Sequence, residues 1–147
     1  KKYNINKLEE ILMLMAARSH HISNVIIPTP KKGKIVISDR FADSTFVYQG
    51  YVNNFGINQT MNLHKKLLNN FLPHKTFLFD LSVTNIIDRL KKRKQKNKYD
   101  KLDSNFHQKV NLGYKKISKN NRFIHIDASL PKKSIHLEII KHINILI

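Results

Sequence analysis

The chain has 147 residues, 41% of them hydrophobic, which suits one globular domain around a single core. It has no cysteine, which excludes disulfides, thiolate metal sites and cysteine nucleophiles, and no run near 18 apolar residues, which excludes a membrane-spanning helix. Twenty-seven Lys and Arg against ten Asp and Glu leave a net charge of +17, a balance that points to a polyanion: nucleic acid, a nucleotide or an acidic membrane.

The opening Lys1-Lys2-Tyr3-Asn4 runs into an amphipathic pattern without the apolar core of a secretory signal. From about Lys7, residues Leu8, Ile11, Leu12, Met15, Ser19 and Ile22 recur at helical spacing, with Glu9 and Glu10 near the end that the helix dipole favours for acids. Pro28 and Pro30 bend or end that helix, and Lys31-Lys32-Gly33 reads as a loop. Lys34–Ser38 is a short apolar run that predicts a buried parallel strand delivering Asp39 and Arg40 at its tip. A helix is expected from Ala42 to Tyr51, a loop over Asn53–Gly56, and a second amphipathic helix from Ile57 through Met61, His64 and Leu68 to Phe71. Thr76–Asp80 predicts the next strand, and Val83, Ile86, Ile87 and Leu90 a helix that enters the most basic stretch of the chain. A helix through Phe106, Val110, Tyr114 and Ile117, a third strand at Phe123–Asp127 and a last helix through Ile135, Ile139 and Ile143 complete the pattern. Alternating strands and helices make an α/β fold with a parallel sheet. The tips Asp39, Asp80 and Asp127 are then expected on one edge, where open α/β sheets bind ligands.

The charge excess is a weak clue to function. Of the cations 22 are Lys, beside 16 Asn and 19 Ile, and these three share AT-rich codons, so base composition alone produces much of it. The five arginines, Arg18, Arg40, Arg89, Arg93 and Arg122, are more informative, because a planar fork does what a lysine point charge cannot. In Asp39-Arg40-Phe41-Ala42-Asp43-Ser44-Thr45-Phe46-Val47-Tyr48-Gln49-Gly50-Tyr51 an acid and an arginine precede a helix offering Ser44, Thr45, Tyr48 and Gln49. The arginine can grip a phosphate while hydroxyl and amide groups read a base edge, and a capped helix with a surface Asp–Arg pair explains the same residues. Arg89 to Lys98 carries seven cations in ten residues, which fits either a solvated basic helix end or a cationic lid for phosphoryl transfer. The eight histidines show no ligand spacing, and the adjacent His20 and His21 diverge around a helix, so no metal site is expected. No G-x-x-x-x-G-K-[ST] phosphate loop can be drawn through the four glycines.

The Asp39-Arg40-Phe41 … Ser44-Thr45 … Tyr48-Gln49-Gly50 stretch resembles the signature of bacterial thymidylate kinases, which phosphorylate dTMP to dTDP with ATP. The resemblance extends to Leu12–Arg18 (a family helix ending in Ala-Ala-Arg), to Leu78-Phe79-Asp80-Leu81 (the fourth strand), to Arg89–Tyr114 (lid and following helix) and to Ile126–Ser129 (the loop near adenine). It covers nearly all of the chain in family order. It implies a P-loop-kinase-like, three-layer α/β/α parallel sheet, here without its first strands, as one domain with a lid at 89–103. The family's first strand, phosphate loop, first helix and Arg-Glu-Pro-Gly loop fall outside, on the order of sixty residues at roughly 30 per βαβ unit. With no initiator methionine, the 147 residues are expected to be a piece of a longer protein that is inactive by itself. The family sheet order, 2-3-1-4-5, would put the absent first strand between Ile35–Ile37 and Phe77–Phe79.

The resemblance also implies roles. Arg40 clamps the dTMP phosphate, with Asp39 orienting it or holding a magnesium-bound water. Arg18 reaches the thymine carbonyl, Ser44, Thr45 and Gln49 line the pyrimidine side, and Tyr48 lies under the deoxyribose, where a 2′-hydroxyl would collide. Leu14 stands where many members carry a stacking Phe, which reduces a stacking term of about 1–3 kcal/mol. Arg93 acts on the transferring phosphates, Arg89 lies near the adenine or phosphates, and Lys98 replaces a second lid arginine. ATP with Mg2+, bound mainly by the absent region, a homodimer and a cytoplasmic setting are further expectations, with neither membrane nor nucleic acid as partner. Another deoxynucleoside or nucleoside-monophosphate kinase is the near alternative. A basic nucleic-acid-binding module is the distant one, disfavoured because no aromatics interleave the Lys91–Lys98 run.

Overall fold

A capping box starts the first helix, α1 (Lys7–His21): Asn6 Oδ1 accepts from the Glu9 backbone N–H at 2.9 Å, and Glu9 Oε2 accepts from the Asn6 N–H at 2.8 Å. The computed structural model describes residues 4–30, 33–94 and 103–146, and the chain divides into two units, Lys1–Leu72 and Pro73–Ile147. Beyond α1 the backbone loosens into a π-helical turn, Ile22–Ile26, before the two prolines. A short helix, α2 (Ala42–Thr45), runs directly into a π-helical segment, Phe46–Val52, and α3 spans Ile57–Leu68. Half of the apolar stripe expected on α1 packs: Ile11, Met15 and Ile22 are buried with Leu68, and Phe41, Phe55, Leu63 and Phe71 close around them, whereas Leu8 and Leu12 stay exposed. Each such aliphatic side chain contributes about 1.5–3 kcal/mol by leaving water.

In the second unit β1 (Thr76–Asp80) and β2 (Phe123–Asp127) run parallel, in a register that pairs Thr76 with Phe123 and Asp80 with Asp127. Parallel neighbours need a crossover, here α4 (Val83–Lys92) and α5 (Ser104–Ile117), and α6 (Lys132–Leu146) follows β2. Ser82 caps α4 and Asp103 caps α5. Phe123, Ile126 and Ile117 are buried at the sheet. The fold is mixed α/β with a small parallel sheet, as the periodicities require.

One expected strand is not formed. Among the described residues the sheet has two strands, and Lys34–Ser38 belongs to no ladder. Ile35 and Ile37 are 61% and 84% exposed instead of buried. β-propensity makes a segment extended, but a strand exists only through a hydrogen-bonded neighbour, and this segment has none among the described residues. Asp39 is therefore not a strand tip, whereas Asp80 and Asp127 end paired strands as foreseen.

Candidate functional site

In the first unit the residues singled out by sequence gather between α1 and the segment 40–52. The cluster starts from an unusual backbone: Arg40 has φ 68°, a left-handed conformation that costs a non-glycine residue about 1–2 kcal/mol. Its carbonyl accepts from the Ser38 hydroxyl at 3.0 Å, holding the turn. Strain of this kind is tolerated where a side chain must be aimed. The Arg40 guanidinium lies over the Tyr48 ring, 5.0 Å from its centre, and Nη2 reaches the phenol oxygen at 3.3 Å. Arg40 stays exposed on its other side and Tyr48 is half-buried, so a cation and a phenol share one accessible surface.

Arg18 makes the second junction. Its Nη2 donates to Thr45 Oγ1 at 2.6 Å, Nη1 approaches Met15 Sδ at 3.4 Å, and its Cζ lies 5.4 Å from the centre of the Phe41 ring. Burial lowers the Arg18 pKa from its ordinary value, and the negative charge of Asp43 opposes that shift. Guanidinium remains protonated at any physiological pH, so the result is a fixed, partly desolvated cation. Asp43 and Thr45 are themselves buried, while Ser44 between them is half-exposed. Leu14, one turn before Arg18, is 37% exposed and free of the α1 core stripe. Gln49 is buried and turns to α1, donating from Nε2 to Glu10 Oε1 at 3.1 Å.

The backbone behind these side chains is tightly wedged. The carbonyls of Tyr48, Gln49 and Gly50 accept from the N–H groups of Asn53, Phe55 and Gly56 at 2.9, 3.3 and 2.7 Å. Gly50 faces α3 so closely that a Cβ there would lie 3.0 Å from Thr60 Oγ1 and 3.2 Å from Ile57 Cα. Fully buried His64 supports the same region from α3: its Nε2 pairs with the Phe71 carbonyl at 2.9 Å and its ring meets Phe46 edge to face.

In the second unit the Arg89 Nη2 donates to the Ala128 carbonyl at 2.6 Å, tying α4 to the turn after β2. Arg93 follows the end of α4 and is exposed. Lys98, with most of the expected lid, lies outside the described residues. In the turn that Arg89 reaches, Asp127 Oδ1 accepts from the Ser129 N–H at 2.8 Å, and the Ser129 hydroxyl, together with that N–H, lowers the Asp127 pKa. On the same sheet face Asp80 Oδ2 lies 2.6 Å from His125 Nδ1 and raises the His125 pKa, helped by the Ser118 carbonyl. Arg122, which carries no expected role, donates to Thr76 Oγ1 at 2.6 Å and covers the Phe123 ring at the other end of the strands.

The cluster in the first unit therefore unites Arg18 with Thr45 and Arg40 with Tyr48. Asp39 is exposed beside it, and Gln49 is directed to Glu10. Asp43, Phe41 and Glu10 were missed as parts of the site. Asp43 and Glu10 read as ordinary first-turn acids, and only their burial or their distant partner distinguishes them. Among the described residues no group of three or more His, Cys, Asp or Glu side chains could hold a metal ion. No helix among the described residues is long and apolar enough to cross a membrane. Chemically, the cluster offers two guanidinium groups, one beside a phenol and one bonded to a buried hydroxyl.

The family model described as thymidylate kinase matches residues 1–139. The thymidylate kinase of Geobacillus sp. (strain WCH70) is 40% identical over 126 residues, covering 83% of this chain and 60% of that protein. The Mycoplasma capricolum thymidylate kinase is 38% identical over 145 residues (96% and 68%), and that of Rickettsia bellii (strain OSU 85-389) 39% over 142 (95% and 69%). The chain thus spans from 60% to 69% of the length of these relatives.

Proposed function

Because the chain belongs to the thymidylate kinase family, we propose that its first unit is the dTMP site of an enzyme that transfers the γ-phosphoryl group of ATP to dTMP. A dTMP phosphate oxygen forms the new bond to phosphorus as the bond to the leaving ADP oxygen breaks. Arg40 holds the acceptor phosphate, and Asp39 beside it limits where the guanidinium can swing. Arg18 donates to the thymine carbonyl while Thr45, which already accepts from Arg18, has its hydroxyl proton to offer or a lone pair to accept the imide N–H. Leu14 covers the base by apolar contact, Ser44 lines the rim, and Tyr48 underlies the sugar. A clash there rejects a ribonucleotide more sharply than apolar contact could.

Arg89 and Arg93 act on the nucleotide donor, with Lys98 as a further cation. A guanidinium at the transferring group stabilises charge spread over its equatorial oxygens. Magnesium enters with ATP. The chain is read as one kinase domain of a cytoplasmic, homodimeric enzyme. Without a Walker-type loop among its 147 residues, it is expected to bind dTMP without turning it over.

The observation that carries this reading is the Arg40–Tyr48 contact, since a monophosphate and a deoxyribose on adjacent groups is what a nucleotide presents. Calorimetry of the purified chain with dTMP, dUMP and dCMP tests it. The expected order places dTMP first and dCMP last, with Arg40→Ala abolishing measurable binding. Equal affinity for all three, or tight and steeply salt-dependent binding to arbitrary DNA, would overturn it.

A further inference from the structure

Glu9 and Glu10 are neighbours with different destinies. Glu9 is consumed by the capping box, whereas half-buried Glu10 reaches across to another element and accepts from the Gln49 amide. Gln49 adjoins Tyr48 in the π-helical segment Phe46–Val52. We propose that Glu10 is a positioning residue for the nucleotide site, fixing through Gln49 where this segment holds Tyr48 against Arg40. The inference deepens the proposed dTMP reading and rests on it.

Three features carry it. First, α1 and the 42–52 segment are joined by two side-chain ties, Arg18–Thr45 and Glu10–Gln49. Their α1 ends are eight residues, or about 12 Å, apart along the axis. One tie leaves a pivot, and a second at that distance removes the rotation. Secondly, the segment is π-helical, with its Asn53 N–H bonded back to the Tyr48 carbonyl five residues away. Such wide turns occur in short pieces and gain their register from outside contacts, frequently at functional sites. Thirdly, the tie has a fixed polarity. A carboxylate only accepts, so the Gln49 NH2 must face Glu10, and turning the amide over would set oxygen against oxygen. With Gly50 wedged on α3 and Gln49 held on α1, Tyr48 has little freedom to drift.

The test compares Glu10→Ala and Glu10→Gln in the full chain, measuring affinity for dTMP and for its ribo counterpart, ribothymidine 5′-monophosphate, together with the melting temperature. Glu10→Ala is expected to weaken dTMP binding about tenfold, the scale of a charge-assisted hydrogen bond, and to narrow the preference for the deoxy sugar. Glu10→Gln keeps an acceptor facing the amide and should stay within about threefold of the parent. An unchanged sugar preference in Glu10→Ala, whatever happens to melting, overturns the inference. So does a Gln variant as impaired as the Ala variant. If the parent chain fails to bind dTMP, the functional reading falls separately, and the tie is then read from NMR. Movement of the Tyr48 ring and Arg40 Nε–H signals in Glu10→Ala but not in Glu10→Gln sustains the positioning role, and their constancy sinks it.

Discussion

Replacing Gly50 with alanine sets two measurable effects against each other. In a helical backbone the change would ordinarily be favourable by about 1 kcal/mol, because glycine loses more freedom on folding. Here the added methyl would lie 3.0 Å from Thr60 Oγ1, 3.2 Å from Ile57 Cα and 3.3 Å from the Gly56 carbonyl oxygen. The last two are backbone atoms and cannot rotate aside, so relief requires α3 and the π-helical segment to separate by a few tenths of an ångström. Overpacking of that kind costs about 1–3 kcal/mol. The net expectation is a loss of about 1 kcal/mol, the middle of the range that these two figures leave, read as a lower urea midpoint at unchanged m-value. Removing the nearest atom with Thr60→Ala should relieve part of that loss in the double variant. It forfeits the Thr60 hydroxyl bond to the Gly56 carbonyl (2.8 Å), so only a double-mutant cycle separates the two. A Gly50→Ala chain as stable as the parent, or more stable, would show that the contact with α3 is not tight and refute the wedge.

Three further outcomes follow from the same geometry. Burial lowers the His64 pKa, with the nearby Arg18 charge adding to it against the Phe71 carbonyl and Asp43. The unfolded chain therefore binds that proton first, and stability should be complete above about pH 6.5 and fall as pH drops through the lowered folded value. His64→Gln should flatten that slope in urea titrations, and an equal slope in both proteins would contradict the account. His125 behaves oppositely, since Asp80 raises its pKa: its contribution is present below about pH 6.5 and lost as pH rises through the raised value. The NMR titration midpoint of His125 should lie above 6.5 and drop in Asp80→Asn, while stability changes little because both groups are half exposed. Arg122→Lys should cost about 1 kcal/mol by losing the bond to Thr76 and the cover on Phe123, and leave dTMP affinity unaltered.

Much of the fold was legible because helices and strands announce themselves by period. The α1 stripe of Ile11, Met15 and Ile22, the run from Ile57 to Leu68 and the strand pair at Thr76 and Phe123 all lie where spacing put them. The contact of Arg40 with Tyr48 was legible through the eight-residue spacing of a known signature. The Arg18–Thr45 bond spans 27 positions, and no pattern along the chain measures that distance. Lys34–Ser38 shows where local reading fails: its apolar composition is that of a strand, and its neighbourhood lacks the ladder.

The amino-acid order by itself determined most of the element types, though not the unpaired segment at Lys34–Ser38, together with the α/β class and the presence of an arginine–hydroxyl–phenol set, because periodicity, turn chemistry and residue identity are properties of adjacent positions. Tertiary structure alone decided that Asp43 is buried near Arg18, that Glu10 serves Gln49 instead of its own helix end, and that Gly50 touches α3. Burial, hydrogen-bond partners and close approach are relations between distant segments, and they exist only once the chain has brought those segments together.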